Sequence, residues 1–187
     1  MATITTKETR MFDWRNPGVL KVGDEITETL KDGREVVFVV MDYGVIGLKG
    51  LLGWHQMNKT WTNKGGWLAC DMRRYLNEEV IELLPDDLLA ALKPRKFGDE
   101  EDRLWLFSEV EIFGEHIWGV GDEGDKQLEY FKNPINRVKF DEDGDANWWW
   151  ERSPYASNSN GFCAVNSGGA NNAAASNSDG VCFGFYI

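Results

Sequence analysis

The chain has 187 residues, of which 42% are hydrophobic and 13% aromatic, and its formal net charge is -11. Length and composition suit one folded domain and exclude a disordered chain. The acidity argues against nucleic-acid binding and against docking on anionic lipid, both of which need a basic patch.

No segment reaches the length of an apolar membrane span, so direct membrane insertion is not expected. The first residues lack the apolar centre of an ordinary signal peptide. Those two features lead us to expect a cytoplasmic or phage-particle-associated protein. Residues 1–17 are polar apart from Phe12 and Trp14 and read as an N-terminal arm to a domain over 18–187. Lys31-Asp32-Gly33-Arg34 is a hairpin turn by its Asp-Gly pair. The run from Val36 to Met41 is the clearest strand in the chain, because it is rich in β-branched residues and nearly continuous. Val45 to Leu52 can return as a second strand. Trp54 to Trp67 reads as a loop.

Asp71 can cap a helix over about 71–84, with Tyr75, Leu76, Val80 and Leu83 or Leu84 inward and Glu78 and Glu79 in water. Pro85 stops it. A second short helix spans about 87–92. The charged stretch from Lys93 to Arg103 is expected on the surface. Leu104 to Phe107 reads as a strand. The stretch from Ser108 to Gly114 is ambiguous, but Ser108 with Glu111 offers a capping box. Trp118 is expected at or near the core.

No constellation of residues indicates an enzyme, and no metal or cofactor is expected. His55 and His116 lack metal-ligand spacing and read as ordinary polar histidines. The acidic turn from Asp141 to Asp145 imitates the start of a calcium loop. However, Ala146 stands where that loop needs glycine, and Arg152 where it needs glutamate. Cys70, Cys163 and Cys182 are too few for a disulfide framework, although Cys163 and Cys182 could pair if they face each other.

The end of the chain is different. Trp148, Trp149 and Trp150 lead into Glu151-Arg152-Ser153-Pro154. From Tyr155 to Gly180, every residue except Tyr155, Phe162, Cys163, Val165 and Asp179 is Asn, Ser, Ala or Gly. Such a run cannot build its own core. It is either a flexible polar tail or a loop-rich surface pinned at both ends, and Phe162 and Val165 favour the second. Small and amide side chains suit a binding surface. The expected face comprises Tyr155, Ser157, Asn158, Asn160, Cys163, Asn166, Ser167, Asn171, Asn172, Ser176, Asn177, Asp179 and Cys182. Trp148, Trp149, Arg152 and Phe185 are expected to be scaffold, with Arg152 meeting a carboxylate or backbone carbonyls.

The stretch from Trp148 to Pro154, with the Asn- and Ser-rich run behind it, resembles bacterial and phage domains of unknown function that carry a Trp-Trp-Leu-Arg-Ser-Pro motif. Glu151 replaces the Leu before Arg152, and Trp150 is extra or shifted. Gly66-Trp67, Met72-Arg73 and the run from Leu106 to Gly114 extend the likeness upstream. The resemblance implies an α+β domain with a C-type lectin-like (formylglycine-generating-enzyme-like) fold. In it, two helices flank a small twisted antiparallel sheet, long loops are irregular, and a last strand near Val181–Ile187 closes the sheet beside an early one. It also implies a variable protein of a diversity-generating retroelement, with a variable region over 155–182 and a protein ligand. The alternative is a non-diversified structural or glycan-binding module of a phage or bacterial surface protein.

Overall fold

A computed structural model describes residues 2–5, 10–122 and 124–187. The protein is mixed α+β, mostly sheet with few helices. In chain order the strands are β1 (Thr3–Thr5), β2 (Arg10–Met11), β3 (Glu25–Thr29), β4 (Glu35–Asp42), β5 (Val45–Leu48), β6 (Trp54–His55), β7 (Arg95–Phe97) and β8 (Glu100–Asp102). They continue as β9 (Trp105–Leu106), β10 (Lys139–Phe140), β11 (Ala146–Asn147), β12 (Trp149–Pro154), β13 (Gly161–Asn166), β14 (Gly169–Ala174), β15 (Asp179–Gly180) and β16 (Phe183–Tyr186).

A seven-stranded sheet runs β2-β1-β3-β4-β5-β16-β9. The β-branched run lies in β4, and the Asp32-Gly33 turn joins β3 to it in register, Ile26 opposite Phe38. The last strand is interior: β16 pairs with β5 on one side and with β9 on the other. Gly184 lies opposite Gly47, and both must be glycine for steric reasons. A Cβ on Gly47 would stand 2.6 Å from the Phe107 ring, and one on Gly184 2.7 Å from it.

The opening residues do not form an arm apart from the domain. β1 pairs with β3, and Trp14 is buried against Phe12, Phe38 and Phe185 at ring separations of 4.9, 5.9 and 5.8 Å. Its indole N–H donates to Glu28 at 2.7 Å, which lets a large polar-tipped ring sit inside.

A five-stranded sheet runs β14-β13-β12-β15-β6. Here the polar run departs from the sequence reading. It is not mainly loop: β13 and β14 form a six-residue hairpin in continuous register from Gly161–Ala174 to Asn166–Gly169. Its turn, Ser167-Gly168, has φ of 49° and 81°. Positive φ at both central positions is the geometry whose twist matches a hairpin. Phe162, Cys163, Ala164 and Val165 are all buried, so β13 carries the core contacts of the hairpin.

After a short α1 (Gly66–Ala69), the helix over 71–84 exists but changes pitch, running as α2 (Asp71–Arg74), then a π turn over Tyr75–Glu79 and a 3-10 turn over Val80–Leu83. Its cap is Cys70, whose sulfur accepts the Arg73 N–H, rather than Asp71. Asp71 instead accepts the Lys59 N–H at 2.8 Å. α3 spans Asp86–Ala91. The charged stretch after Lys93 folds into the β7–β8 hairpin, and Asp102 in it is buried. Asp102 accepts the Trp67 indole N–H and the Arg73 guanidinium, each at 2.7 Å. α4 (Glu109–Phe113) carries the capping box: Ser108 and Glu111 exchange bonds at 3.1 and 2.9 Å. No helix among the described residues is long and apolar enough to cross a membrane.

Candidate functional site

Arg152, Ser153 and Pro154 end β12, and each binds the irregular stretch after α4 through Val120, Asp122 or Asp125. The Arg152 guanidinium is 1% exposed. Its Nη1 donates to Glu111 at 2.6 Å and to the Leu106 carbonyl at 2.8 Å. Its Nε donates to Asp122 at 2.9 Å, and Nη2 pairs with Asp125. Arg95 joins the network through Glu111 at 2.6 Å and Asp125 at 2.8 Å.

Burial works to raise the Glu111 carboxyl, but Arg152 and Arg95 overcome it and hold the group below its usual value. For Asp125 burial wins over the same two cations, and the group is raised. Burial would lower Arg152, yet the three carboxylates keep it above its usual value. Asp122 reaches both partners from a left-handed backbone with φ of 63°, a conformation that Asp tolerates better than most residues. Ser153 Oγ accepts the Glu109 N–H at 2.9 Å and donates to Asp122 at 2.6 Å. The Pro154 carbonyl accepts the Val120 N–H at 3.1 Å.

Glu109 supports the same segment from below. Its carboxylate accepts the backbone N–H groups of Ile117 at 2.8 Å, Trp118 at 2.9 Å and Gly119 at 2.8 Å. A buried carboxylate that satisfies three amides fixes a loop that has no strand pairing of its own beyond the bridge from Gly119 to Tyr155. Trp118 is thereby held outward. It is 42% exposed, not core, and meets Tyr155 edge-on at 6.3 Å.

The loop 156–160 follows Tyr155. Asn63 pins it: its side-chain amide donates to the carbonyls of Tyr155 at 3.2 Å, Asn158 at 3.0 Å and Gly161 at 2.7 Å. Trp61, two residues before Asn63, is 66% exposed. On the other flank, Ala175 donates to the Asn160 carbonyl at 2.9 Å. This bond sets the turn 176–178 beside the loop. A cleft of about 490 Å³ opens beside the Arg152 network at the end of β12, lined by Trp67, Arg95, Phe97, Asp122, Asp125 and Pro154 among others.

The thirteen residues of the expected face therefore do not form one patch. Tyr155, Ser157, Asn158, Asn160, Ser176 and Asn177 gather at one end of the hairpin. Asn166 and Ser167 stand at the turn, about six residues or roughly 20 Å away along β13. Asn171 and Asn172 lie between them on β14 and point to opposite faces, as neighbours in a strand must. Asp179 is half-buried in β15, opposite His55.

Cys163 and Cys182 need correction, because both are fully buried and cannot present a surface. They are separate free thiols. Cys163 packs under Gly119, and Cys182 donates to the Leu48 carbonyl at 3.3 Å, beside the buried amine of Lys139, which donates to the same oxygen at 3.0 Å. Trp149 and Phe185 are buried and Trp148 is half-buried.

The acidic turn is closed by its own chain. Asp141 accepts the N–H groups of Asp143 at 3.0 Å and Asp145 at 2.9 Å, and the Asn147 amide at 2.6 Å. His55 stacks on Tyr75 at 4.0 Å.

The sequence reading missed Asn63, Trp61 and Glu109, and placed Trp118 at or near the core instead of on the surface. Trp118 carried a signal, because Gly119 and Gly121 follow it too closely for a core strand or helix. Asn63 and Glu109 gave none, since their roles depend on contacts far along the chain.

The chain belongs to the family described as a domain of unknown function, DUF6273, whose model matches residues 34–186. The match runs from the Asp32-Gly33 turn to the last strand and leaves β1–β3 outside it. No curated protein and no solved structure matches the chain.

Proposed function

We propose that this protein is a binding module, not an enzyme, that displays a diversified surface on a C-type lectin-like scaffold as the target of a retroelement, with a protein as ligand. One observation carries the reading. Loop 156–160 and turn 176–178, both small and polar, stand side by side at one end of the five-stranded sheet, above a rigid base of buried hydrogen bonds. Variable side chains on a fixed base are the arrangement that diversity requires.

Trp118, Trp61 and Tyr155 add the large side chains that the polar run lacks. Interfaces draw most of their energy from such residues. The outer edge of β14 favours a protein ligand. Among the described strands it pairs with β13 alone, carries no charge and bears small side chains; the Asn171 side chain takes the Asn172 N–H and Asn177 N–H the Ala174 carbonyl, and the rest of that edge can take a partner strand. A non-diversified glycan-binding module is the second reading, favoured by exposed tryptophans beside amide side chains.

The gene's neighbourhood separates the two. A retroelement target has a nearby reverse-transcriptase gene and a template copy of the segment coding for 155–182. That copy should differ from the segment almost only at adenines, with the differing codons falling on Tyr155, Ser157, Asn158, Asn160, Ser176 and Asn177. A neighbourhood with no such copy would remove the diversification claim.

A further inference from the structure

Beneath the amides of 117–119 lies a cluster that the binding reading does not use. Glu109 from α4, Glu151 from β12 and Cys163 from β13 each offer a ligand atom, and these atoms lie within 4.8 Å of one another. All three side chains are fully buried. Gly119 roofs the cluster. A Cβ there would stand 3.0 Å from Cys163 Sγ and 3.0 Å from Glu109 Oε2, so the site is open only because that residue is glycine.

Glu151 is the anomaly. It is 0% exposed, and neither carboxylate oxygen has a hydrogen-bond partner among the described residues. A buried carboxylate must be neutralised or paired. A proton would neutralise it but would still leave an oxygen without a donor. A cation answers both oxygens and faces a second carboxylate and a thiol.

We propose that Glu109, Glu151 and Cys163 form a site for a zinc-class divalent transition-metal ion. The donor set decides the class. A thiolate with two carboxylates suits a borderline ion, whereas calcium and magnesium take oxygen alone and more of it. Bonds of about 2.3 Å to sulfur and about 2.0–2.2 Å to oxygen need the three atoms to draw inward only slightly from their present spacing. The imidazole of His116 is a further donor close by, with Nδ1 3.7 Å from Glu109 Oε2. An ion here would tie α4, β12 and β13 together under the segment that carries Trp118.

The test uses the full-length chain, stripped with a chelator, dialysed and titrated with Co²⁺ as an optical probe. The expected result is binding of one ion per chain, with a thiolate-to-cobalt charge-transfer band that Zn²⁺ abolishes by displacement. Cys163→Ser should lose the band. Glu151→Leu removes the orphan carboxylate and leaves an apolar side chain in a buried place, so it should fold while binding Co²⁺ at least about tenfold more weakly, about 1.4 kcal/mol. The proposal is overturned if the stripped wild-type chain gives no band, or if folded Glu151→Leu, checked by circular dichroism, binds Co²⁺ as tightly as wild type.

Discussion

A chain ending at Gly180 is expected to show no cooperative melt. Residues 181–187 supply β16, which lies inside the seven-stranded sheet between β5 and β9. Their removal exposes the edge of β5 at Gly47 and cuts β9 from the sheet. It also removes Val181, Phe183 and Phe185, all buried, and Phe185 packs on Phe38 at 5.1 Å and on Trp14 at 5.8 Å. Each such side chain is worth roughly 1.5–3 kcal/mol of burial. Together they approach the whole stability of a typical domain, about 5–15 kcal/mol. Thermal unfolding followed by circular dichroism and calorimetry checks this, and an unchanged melt would show that β16 is dispensable.

Replacement of Arg152 by Met is expected to cost about 3–5 kcal/mol, because it leaves buried carboxylates without their cation. Glu111, Asp122 and Asp125 all lose their main partner, and Arg95 reaches only Glu111 and Asp125. Arg152→Lys should be milder but still destabilising, since one ammonium cannot serve three carboxylates and the Leu106 carbonyl at once. Urea unfolding of both variants measures the loss.

The network also sets an acid limb. Glu111 lies below its ordinary value of 4.5 in the folded state. Its contribution is therefore complete above the unfolded-state value and is lost as pH falls through the lower folded one. Asp125 is raised and has the opposite sign, so the limb should be shallower than Glu111 alone would give. In Arg152→Met, Glu111 loses the cation that lowers it most, leaving Arg95, and this acid limb should weaken or invert. A variant as stable as wild type, with the same acid limb, would show that Arg152 is not the hub.

Some of this architecture was legible in the residues. The strand at Val36–Met41, the Asp32-Gly33 turn and the Ser108–Glu111 capping box follow from local chemistry, and each formed where that chemistry put it. The β13–β14 hairpin was legible only in part. β14 is Asn, Ala and Gly with no large apolar residue, and the cues that the run is pinned to the domain were Phe162 and Val165 in β13. Cys163 and Cys182 were placed at the surface because they fall within the 155–182 region, yet their burial depends on partners at Gly119 and Leu48, distant in the chain. The three amides on Glu109 and the three carbonyls on Asn63 are likewise tertiary facts that no spacing in the sequence announces.

The binding face is tested most directly by a display library of the full-length chain randomised at Tyr155, Ser157, Asn158, Asn160, Ser176 and Asn177. A matched library is randomised at Cys163, Arg152 and Cys182. Both are sorted for protease-resistant folding, and the first is then sorted for binding to a fixed protein target. Most members of the first library should fold, since exposed substitutions typically shift stability by less than about 0.5 kcal/mol, and binders should emerge whose affinity is lost when those positions revert. Few members of the second should fold. If the first library largely failed to fold, or if selected binding survived reversion and mapped to the surface around His55 or Asp141, the face would lie elsewhere.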